Sequence, residues 1–303
     1  MRELKIASIL FQWGSQTYIM GIINVTPDSF SGDGLLSDQW WVKKAVDQGL
    51  RFAQEGAHIL DVGGESTRPG AEPVEAEVEL QRVLPVIQAL RREVDLPISI
   101  DTYKAEVAAA ALEAGAHLVN DVWGLRMDAA LAGLCAQHRV PVVVTHNRSR
   151  PRNATQEARL GGRYVGTVYE NLLADVANEL QISINLAKAA GVPDEHIIID
   201  PGIGFGKTVE QNLTLLNYLD SFKALGYPIL LGTSNKSFIG YTLNTPPEDR
   251  LEGTAATVAI GIARGADIVR VHQVKEMSRV AKMTDAIVRK RPPTADEMPF
   301  GYR

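Results

Sequence analysis

With 303 residues, of which 45% are hydrophobic and 22% charged, the chain can bury a large core, and it holds no apolar run near membrane length, so it reads as a soluble globular protein. A net charge of -5 argues against nucleic acid as the main partner. The lone Cys135, in the helical stretch LAGLCAQH, excludes a disulfide framework and any cysteine-type metal spacing.

The start, MRELKIASILFQWGSQTY, lacks a basic end followed by a continuous apolar region and a cleavage site, so a cytoplasmic protein is expected. Residues Ile6 to Tyr18 alternate around Gly14 and Ser15, which predicts a hairpin leading into a first core strand, Tyr18 to Val25, with Asn24 at its end. The loop TPDSFSGDGLL follows, broken by Pro27, Gly32 and Gly34. A helix is predicted from about Asp38 to Glu55, with Trp41, Ala45 and Phe52 on one face and Gly56 closing it.

An internal echo then appears: GAHILDVG from Gly56, GAHLVNDV from Gly115 and GADIVRVH from Gly265. In each, glycine ends a helix, one small residue turns the chain and an apolar strand begins, so Asp61, Asn120 and Arg270 occupy one structural address at a strand's carboxyl end. Further strands end at Asp101 (PISID), His146 (VPVVVTH) and Ser234 (YPILLGTS). In IIIDPGIGFGK, Ile197 to Lys207, a buried strand runs into Asp200 and a glycine-rich turn. Asp200 there is satisfied by a polar ligand or caps the next helix.

Eight apolar runs, ending near Asn24, Asp61, Asp101, Asn120, His146, Asp200, Ser234 and His272, alternate with helical patterns. They predict an α/β fold, a single (β/α)8 TIM barrel with an N-terminal β-hairpin, rather than a doubly wound open sheet. One barrel domain is expected over residues 1–290, with a tail at 291–303. Between His146 and Ile197, RSRPRNATQEARLGGR sets five arginines against one glutamate in a breaker-rich loop, either solvated or facing an anionic substrate, before a helix from about Tyr169 to Ala190.

Barrels of this kind place their sites at the strands' carboxyl ends. Gathered there are Asn24, Asp61, Asp101, Asn120, Asp200, Lys236, Arg270 and His272. Carboxylates and amides can read the edge of a flat heterocycle, while Lys236, Arg270, His272 and the SNKS turn offer donors to an anion. Each residue also has a structural reading. Asp101 and Asp200 would serve as helix caps, Arg270 would neutralise Asp61 or Asp200, Lys236 would be an exposed first-turn lysine, and Asn24 would support its own turn. His58, His117, His138 and His196 lie on the opposite, stabilising face.

NVTPDSF (Asn24 to Phe30), DVGGESTRPG (Asp61 to Gly70), IDTYK, DPGIGFGK, TSNKSFIG and RVHQVK together resemble the dihydropteroate synthase family of folate biosynthesis, in the family's order from about Met20 to Arg289. The resemblance implies a transferase, the target of sulfonamides, that condenses 6-hydroxymethyl-7,8-dihydropterin diphosphate with 4-aminobenzoate, using Mg2+. It implies that Asp101, Asn120, Asp200 and Lys236 hold the pterin and that Arg270 stacks on it. Asn24, Arg270 and His272 would meet the diphosphate, with Asn24 on the metal. Thr67, Arg68, Pro69, Ser237 and Phe30 would form the aminobenzoate pocket. A homodimer through outer helices near the carboxyl terminus is also implied.

Three positions depart from the family pattern: Asn235 where arginine is usual, Gln273 where aspartate is usual, and HNRS at His146. The alternatives are a non-catalytic pterin-binding paralogue and a methyltransferase domain passing a folate methyl group to a corrinoid, which has no need of ESTRPG or SNKS.

Overall fold

The computed structural model describes residues 3–26, 40–165 and 167–289; Phe30, most of its loop, the start predicted for the first helix at Asp38 and the tail lie outside them. Two short strands open the chain, β1 (Glu3–Ile6) and β2 (Ile9–Gln12), paired antiparallel. The turn between them is Ala7–Ser8, with Ala7 at a left-handed φ of 49°, and not Gly14–Ser15 as expected. Pairing Leu4 with Phe11 across this turn sets both side chains on the buried face, which is what selects the register. Gly14–Ser15 instead turn the chain into β3 (Tyr18–Asn24).

Eight parallel strands follow as one sheet: β3, β4 (Ile59–Gly63), β5 (Ile98–Asp101), β6 (Leu118–Asp121), β7 (Val142–Thr145), β10 (Ile197–Asp200), β11 (Leu230–Leu231) and β12 (Ile268–Val271). The intervening β8 (Ala154–Glu157) and β9 (Gly161–Tyr164) form a separate antiparallel pair. Each barrel strand lies beside its successor, β12 beside β3, and the barrel closes between β10 and β11 through a parallel bridge at Ile199 and Ile229, with the Ile199 N–H donating to Pro228 O at 3.0 Å.

The helices are α1 (Trp40–Glu55), α2 (Ala76–Glu93), α3 (Ala105–Glu113), α4 (Ala129–His138), α5 (Leu172–Ala189), α6 (Val209–Asn217), α7 (Ser237–Leu243), α8 (Leu251–Ala263) and α9 (Val274–Val288). None among the described residues is long and apolar enough to cross a membrane. On α1 the buried Ala45, Gly49 and Phe52 share one helical face, and Phe52 lies so close to Gly21 of β3 that a Cβ there would meet its ring at 2.7 Å. The echoed glycines end their helices in one way. Gly56, Gly115 and Gly265 take φ of 100°, 114° and 96°, and the following residue donates back to Phe52, Ala111 and Gly261, the paired bonds of a Schellman cap.

The outer core lies between the strands' outward side chains and the helices. A second apolar cluster fills the lower barrel, where Met20, Ile59, Leu118, Val143, Ile198, Leu230 and Ile268 meet Leu4, Ile6, Phe11 and Trp13. The hairpin is thus a plug for the barrel floor, with Phe11 4.6 Å from the Tyr18 ring. Burying one such aromatic contributes about 1.5–3 kcal/mol.

The arginine-rich segment is not an open loop. Its middle forms the β8–β9 hairpin, held to α7 by Tyr241 Oη donating to Gly161 O at 3.1 Å and by Arg163 stacked 4.2 Å from the Tyr241 ring centroid. Arg148 pairs with Asp175 at 3.4 Å and also with Glu179, so its charge is already neutralised.

Candidate functional site

Alternate residues of a strand point the same way, so the residues two beyond the floor layer also face the barrel interior. They are Ile22, Asp61, Asn120, Thr145, Asp200, Gly232 and Arg270, with Asp101 level with Asn120. One pleat therefore separates a sealed apolar floor from a polar mouth.

Arg270 organises one side of this mouth. Its Nε donates to Asp61 Oδ2 at 2.6 Å and its Nη2 to Asp101 Oδ2 at 2.5 Å. Asn120 Nδ2 donates to Asp61 Oδ2 at 3.2 Å, which leaves its carbonyl oxygen for other partners. Asp61 is fully buried, and its Oδ1 has no hydrogen-bond partner among the described residues. Burial pushes the Asp101 carboxyl up, against the opposing pull of Arg270. The two carboxylates hold the guanidinium of Arg270 above its ordinary value despite burial. Arg270 thus neutralises Asp61, as the structural reading allowed, but its second partner is Asp101 and not Asp200.

Asp200 is 5% exposed, and its Oδ1 accepts the Gly202 N–H at 2.7 Å. It caps no helix: α6 is capped by Thr208 in a reciprocal box with Gln211. Asp101 is no cap either, since Lys104 holds that position at α3 and Asp128 Oδ2 accepts the Ala105 N–H at 2.8 Å. Burial raises Asp200's carboxyl, while Lys236, Lys207 and Arg270 oppose the rise.

Lys236 is half-buried at the entry to α7; its ammonium donates to Ile203 O and lies 4.3 Å from the Phe205 ring centroid, so the exposed-lysine reading fails. Burial lowers it to about 8. Ser237, the first residue of α7, follows it directly. His272 Nδ1 lies 2.9 Å from Ser234 Oγ, and burial, with Arg270 nearby, lowers its imidazole to about 4, so it is neutral at pH 7. Asn24 ends β3, half-buried.

Thr67, Arg68 and Pro69 lie on the loop after β4. Arg68 is exposed, and its charge is felt by His272. The loop is anchored by Glu65: Lys104 Nζ donates to it at 2.6 Å, Tyr103 Oη at 3.2 Å and Val74 N at 3.3 Å. Lys104 Nζ also donates to the buried Glu79 at 2.6 Å. Gln156 of the β8–β9 hairpin donates to Pro69 O, so the hairpin braces the same loop.

The departures are absorbed by the framework. Asn235 takes a left-handed φ of 55°, which asparagine tolerates better than arginine, and its Oδ1 accepts from Thr254 Oγ1 at 3.3 Å. Gln273 Oε1 lies 3.5 Å from Ser234 Oγ. His146 is buried against Lys207. Sequence reasoning missed the Glu65–Lys104 anchor and the burial of Lys207, whose only signal was its place at the end of a glycine turn.

The pterin binding enzyme family matches residues 20–272. Dihydropteroate synthase of Clostridium beijerinckii is 53% identical over 288 residues, covering 95% of this chain and 100% of the relative. The solved dihydropteroate synthase of Clostridium difficile, in the presence of pteroic acid, superposes with a TM-score of 0.84 at 48% identity, covering 92% of this chain and 100% of that one. That of Xanthomonas albilineans with 4-aminobenzoic acid gives 0.83 at 40% identity, covering 94% and 97%. The chain belongs to the pterin binding enzyme family, and within it to the dihydropteroate synthases of folate synthesis.

Proposed function

We propose that the polar layer one pleat above the sealed floor is where 6-hydroxymethyl-7,8-dihydropterin diphosphate condenses with 4-aminobenzoate to give 7,8-dihydropteroate and diphosphate. The observation that carries the assignment is the set of inward carboxylates, Asp61, Asp101 and Asp200, held against Arg270 and Lys236 with the amide of Asn120 between them.

In this reading Asp101 and Asp200 accept N–H groups from the pterin edge, Asn120 donates and accepts, and Lys236 donates to a ring acceptor. Arg270, fixed in plane by its two carboxylates, gives the ring a face to stack on. The arylamine nitrogen attacks the pterin methylene carbon as the carbon–oxygen bond to diphosphate breaks, and the amine proton leaves to solvent. Carboxylates already fixed beside the ring stabilise the developing cation without reorganising. Where the Ser234 hydroxyl donates to His272 Nδ1, the neutral ring keeps Nε2–H as a donor for the departing diphosphate. Thr67, Arg68, Pro69 and Ser237, with Phe30 outside the described residues, wall the aminobenzoate pocket, which sulfonamides would share.

No group of three His, Cys, Asp or Glu side chains among the described residues is placed to hold a metal. Mg2+ fits here as an ion carried by the substrate: Asn24, half-buried at the carboxyl end of β3, offers a neutral amide oxygen at the barrel mouth, and Mg2+ typically keeps waters and substrate phosphates as its other ligands. Bound there, it would neutralise charge on the departing diphosphate.

A cytoplasmic homodimer completes the proposal. Ile260 of α8 and Met283 and Ile287 of α9 are 49%, 64% and 66% exposed, an apolar set on the outer helices near the carboxyl terminus. Light scattering should give twice 33.0 kDa, and a monomer mass would contradict this part.

The activity is tested with purified protein, both substrates and Mg2+. Dihydropteroate and diphosphate should appear in equal amounts, with diphosphate release dependent on 4-aminobenzoate. Pterin binding without product would favour the non-catalytic alternative.

A further inference from the structure

Lys207 is 2% exposed, which for a lysine needs an explanation. Its Nζ lies 2.8 Å from Gly202 O, 3.0 Å from Phe205 O and 2.9 Å from His146 Nδ1, with His146 O more distant at 3.4 Å. An ammonium has three protons, and where His146 Nδ1 is an acceptor the close partners match them one for one. Burial drives the Lys207 amine well below its ordinary value, and the cage of acceptors favours the charged form against that pull. Where the His146 proton sits on Nε2, 3.2 Å from Glu179, its Nδ1 accepts from Lys207; Arg126 and Arg148 also engage Glu179.

The turn above this lysine carries the site. Gly202 offers its carbonyl to Lys207 and its N–H to Asp200 Oδ1, at 2.8 Å and 2.7 Å, so a single residue connects the buried ammonium to the carboxylate. The next carbonyl, Ile203 O, accepts from Lys236. Two lysines therefore hold neighbouring carbonyls of one turn, Lys207 from below and Lys236 from the mouth. The packing leaves no slack: a Cβ on Gly202, at φ 71°, would lie 1.8 Å from His146 O.

We propose that Lys207 is a positioning residue for the pterin-reading carboxylate, locking the Gly202–Phe205 turn so that Asp200 and Lys236 present a fixed donor and acceptor pattern. The proposal rests on the assignment of Asp200 to the pterin edge. Because Lys207 acts through Asp200 and the turn, its loss should weaken pterin binding and spare 4-aminobenzoate.

Lys207→Met keeps the buried volume and removes the donors. The expected result is a folded protein whose affinity for a pterin ligand falls at least tenfold by calorimetry, while KM for 4-aminobenzoate stays within about twofold. Combined with Asp200→Asn, it should add little to the loss caused by Asp200→Asn alone, a non-additivity that a general structural role would not give. Unchanged pterin affinity, equal losses for both substrates or full additivity would overturn the proposal. If Lys207→Met fails to fold, His146→Leu, which removes one acceptor and leaves the carbonyls, decides by the same readouts: a pterin-selective loss supports the proposal, and no loss or an unselective one overturns it. Wild-type protein titrated alongside separates the two claims, since failure of the wild type to bind pterin would contradict the functional assignment itself.

Discussion

Arg270 shows why a cation and carboxylates must be kept together in this barrel. Asp61 has no exposure, and removing its guanidinium partner would leave a buried charge uncompensated, a change that typically costs about 3–5 kcal/mol. The strand-end address of Asp61, Asn120 and Arg270 was legible in the sequence because glycine, turn and strand repeat around it. The pairing was not, since Arg270 is 209 residues from Asp61 in the chain and the barrel alone brings them together. Lys207 was hidden for a related reason, because nothing local distinguishes a lysine that solvates from one that folds under its own turn. Lys236 offers a direct residue-scale test. Burial lowers its ammonium to about 8, so the donor is present at neutral pH and lost as pH rises through that value. Pterin affinity should therefore fall by about tenfold per pH unit above about 8, and Lys236→Arg, which stays charged, should flatten the fall. Affinity that is level to about pH 9.5 in the wild type would contradict this role for Lys236.

At the scale of elements, the strands and helices of the barrel were legible because apolar runs and glycine stops alternate regularly. The β8–β9 hairpin was not, because ATQE and GGRY carry no apolar alternation and their pairing depends on contacts with Tyr241, Arg250 and the loop after β4. The first hairpin was foreseen with its turn misplaced, since Gly14–Ser15 is the stronger turn signal and Ala7–Ser8 is selected by the buried register instead. The Gly, Pro and Ser content of the loop after β4 over Ser66 to Pro73, like that of Thr26 to Leu36, which lies outside the described residues from Pro27 onward, predicts mobility without ligand. The structure gives the later loop an anchor at its base. Glu65→Ala removes the acceptor of three donors, Val74 N, Tyr103 Oη and Lys104 Nζ, and leaves the Lys104–Glu79 pair intact. A charged hydrogen bond contributes about 1.5–3 kcal/mol, so hydrogen exchange over Ser66 to Pro73 should quicken and KM for 4-aminobenzoate should rise about tenfold. Pterin affinity should stay within about twofold, a factor worth only ~0.4 kcal/mol. Unchanged exchange in this loop would show that Glu65 is not its anchor.

The whole molecule is a barrel with two unlike ends, an apolar floor plugged by a hairpin and a polar mouth one pleat above it. The polar mouth was legible from the glycine echo and the polar strand ends, whereas the floor and its hairpin plug were not, because buried parallel strands read as continuous apolar runs; the division assigns stability to one layer and recognition to the next. If the upper layer exists for its ligand, a carboxylate there that is outside the Arg270 ion pairs should be dispensable to folding and indispensable to binding. Asp200 is the residue to ask. Burial raises its carboxyl above the ordinary value. A carboxyl raised in the folded state contributes stability below its unfolded value and loses that contribution as pH rises through the folded one, so at neutral pH the ionised form costs folding free energy that an amide avoids. Asp200→Asn should therefore melt near or above the wild type. The same change turns one acceptor into a donor, setting donor against donor at the pterin edge, and should weaken pterin binding by about 2–5 kcal/mol. Calorimetric titration of Asp200→Asn with a pterin ligand, beside its thermal melt at pH 7, is the deciding measurement: the account predicts an intact melt with pterin affinity collapsed, and an intact melt with affinity unchanged would contradict it.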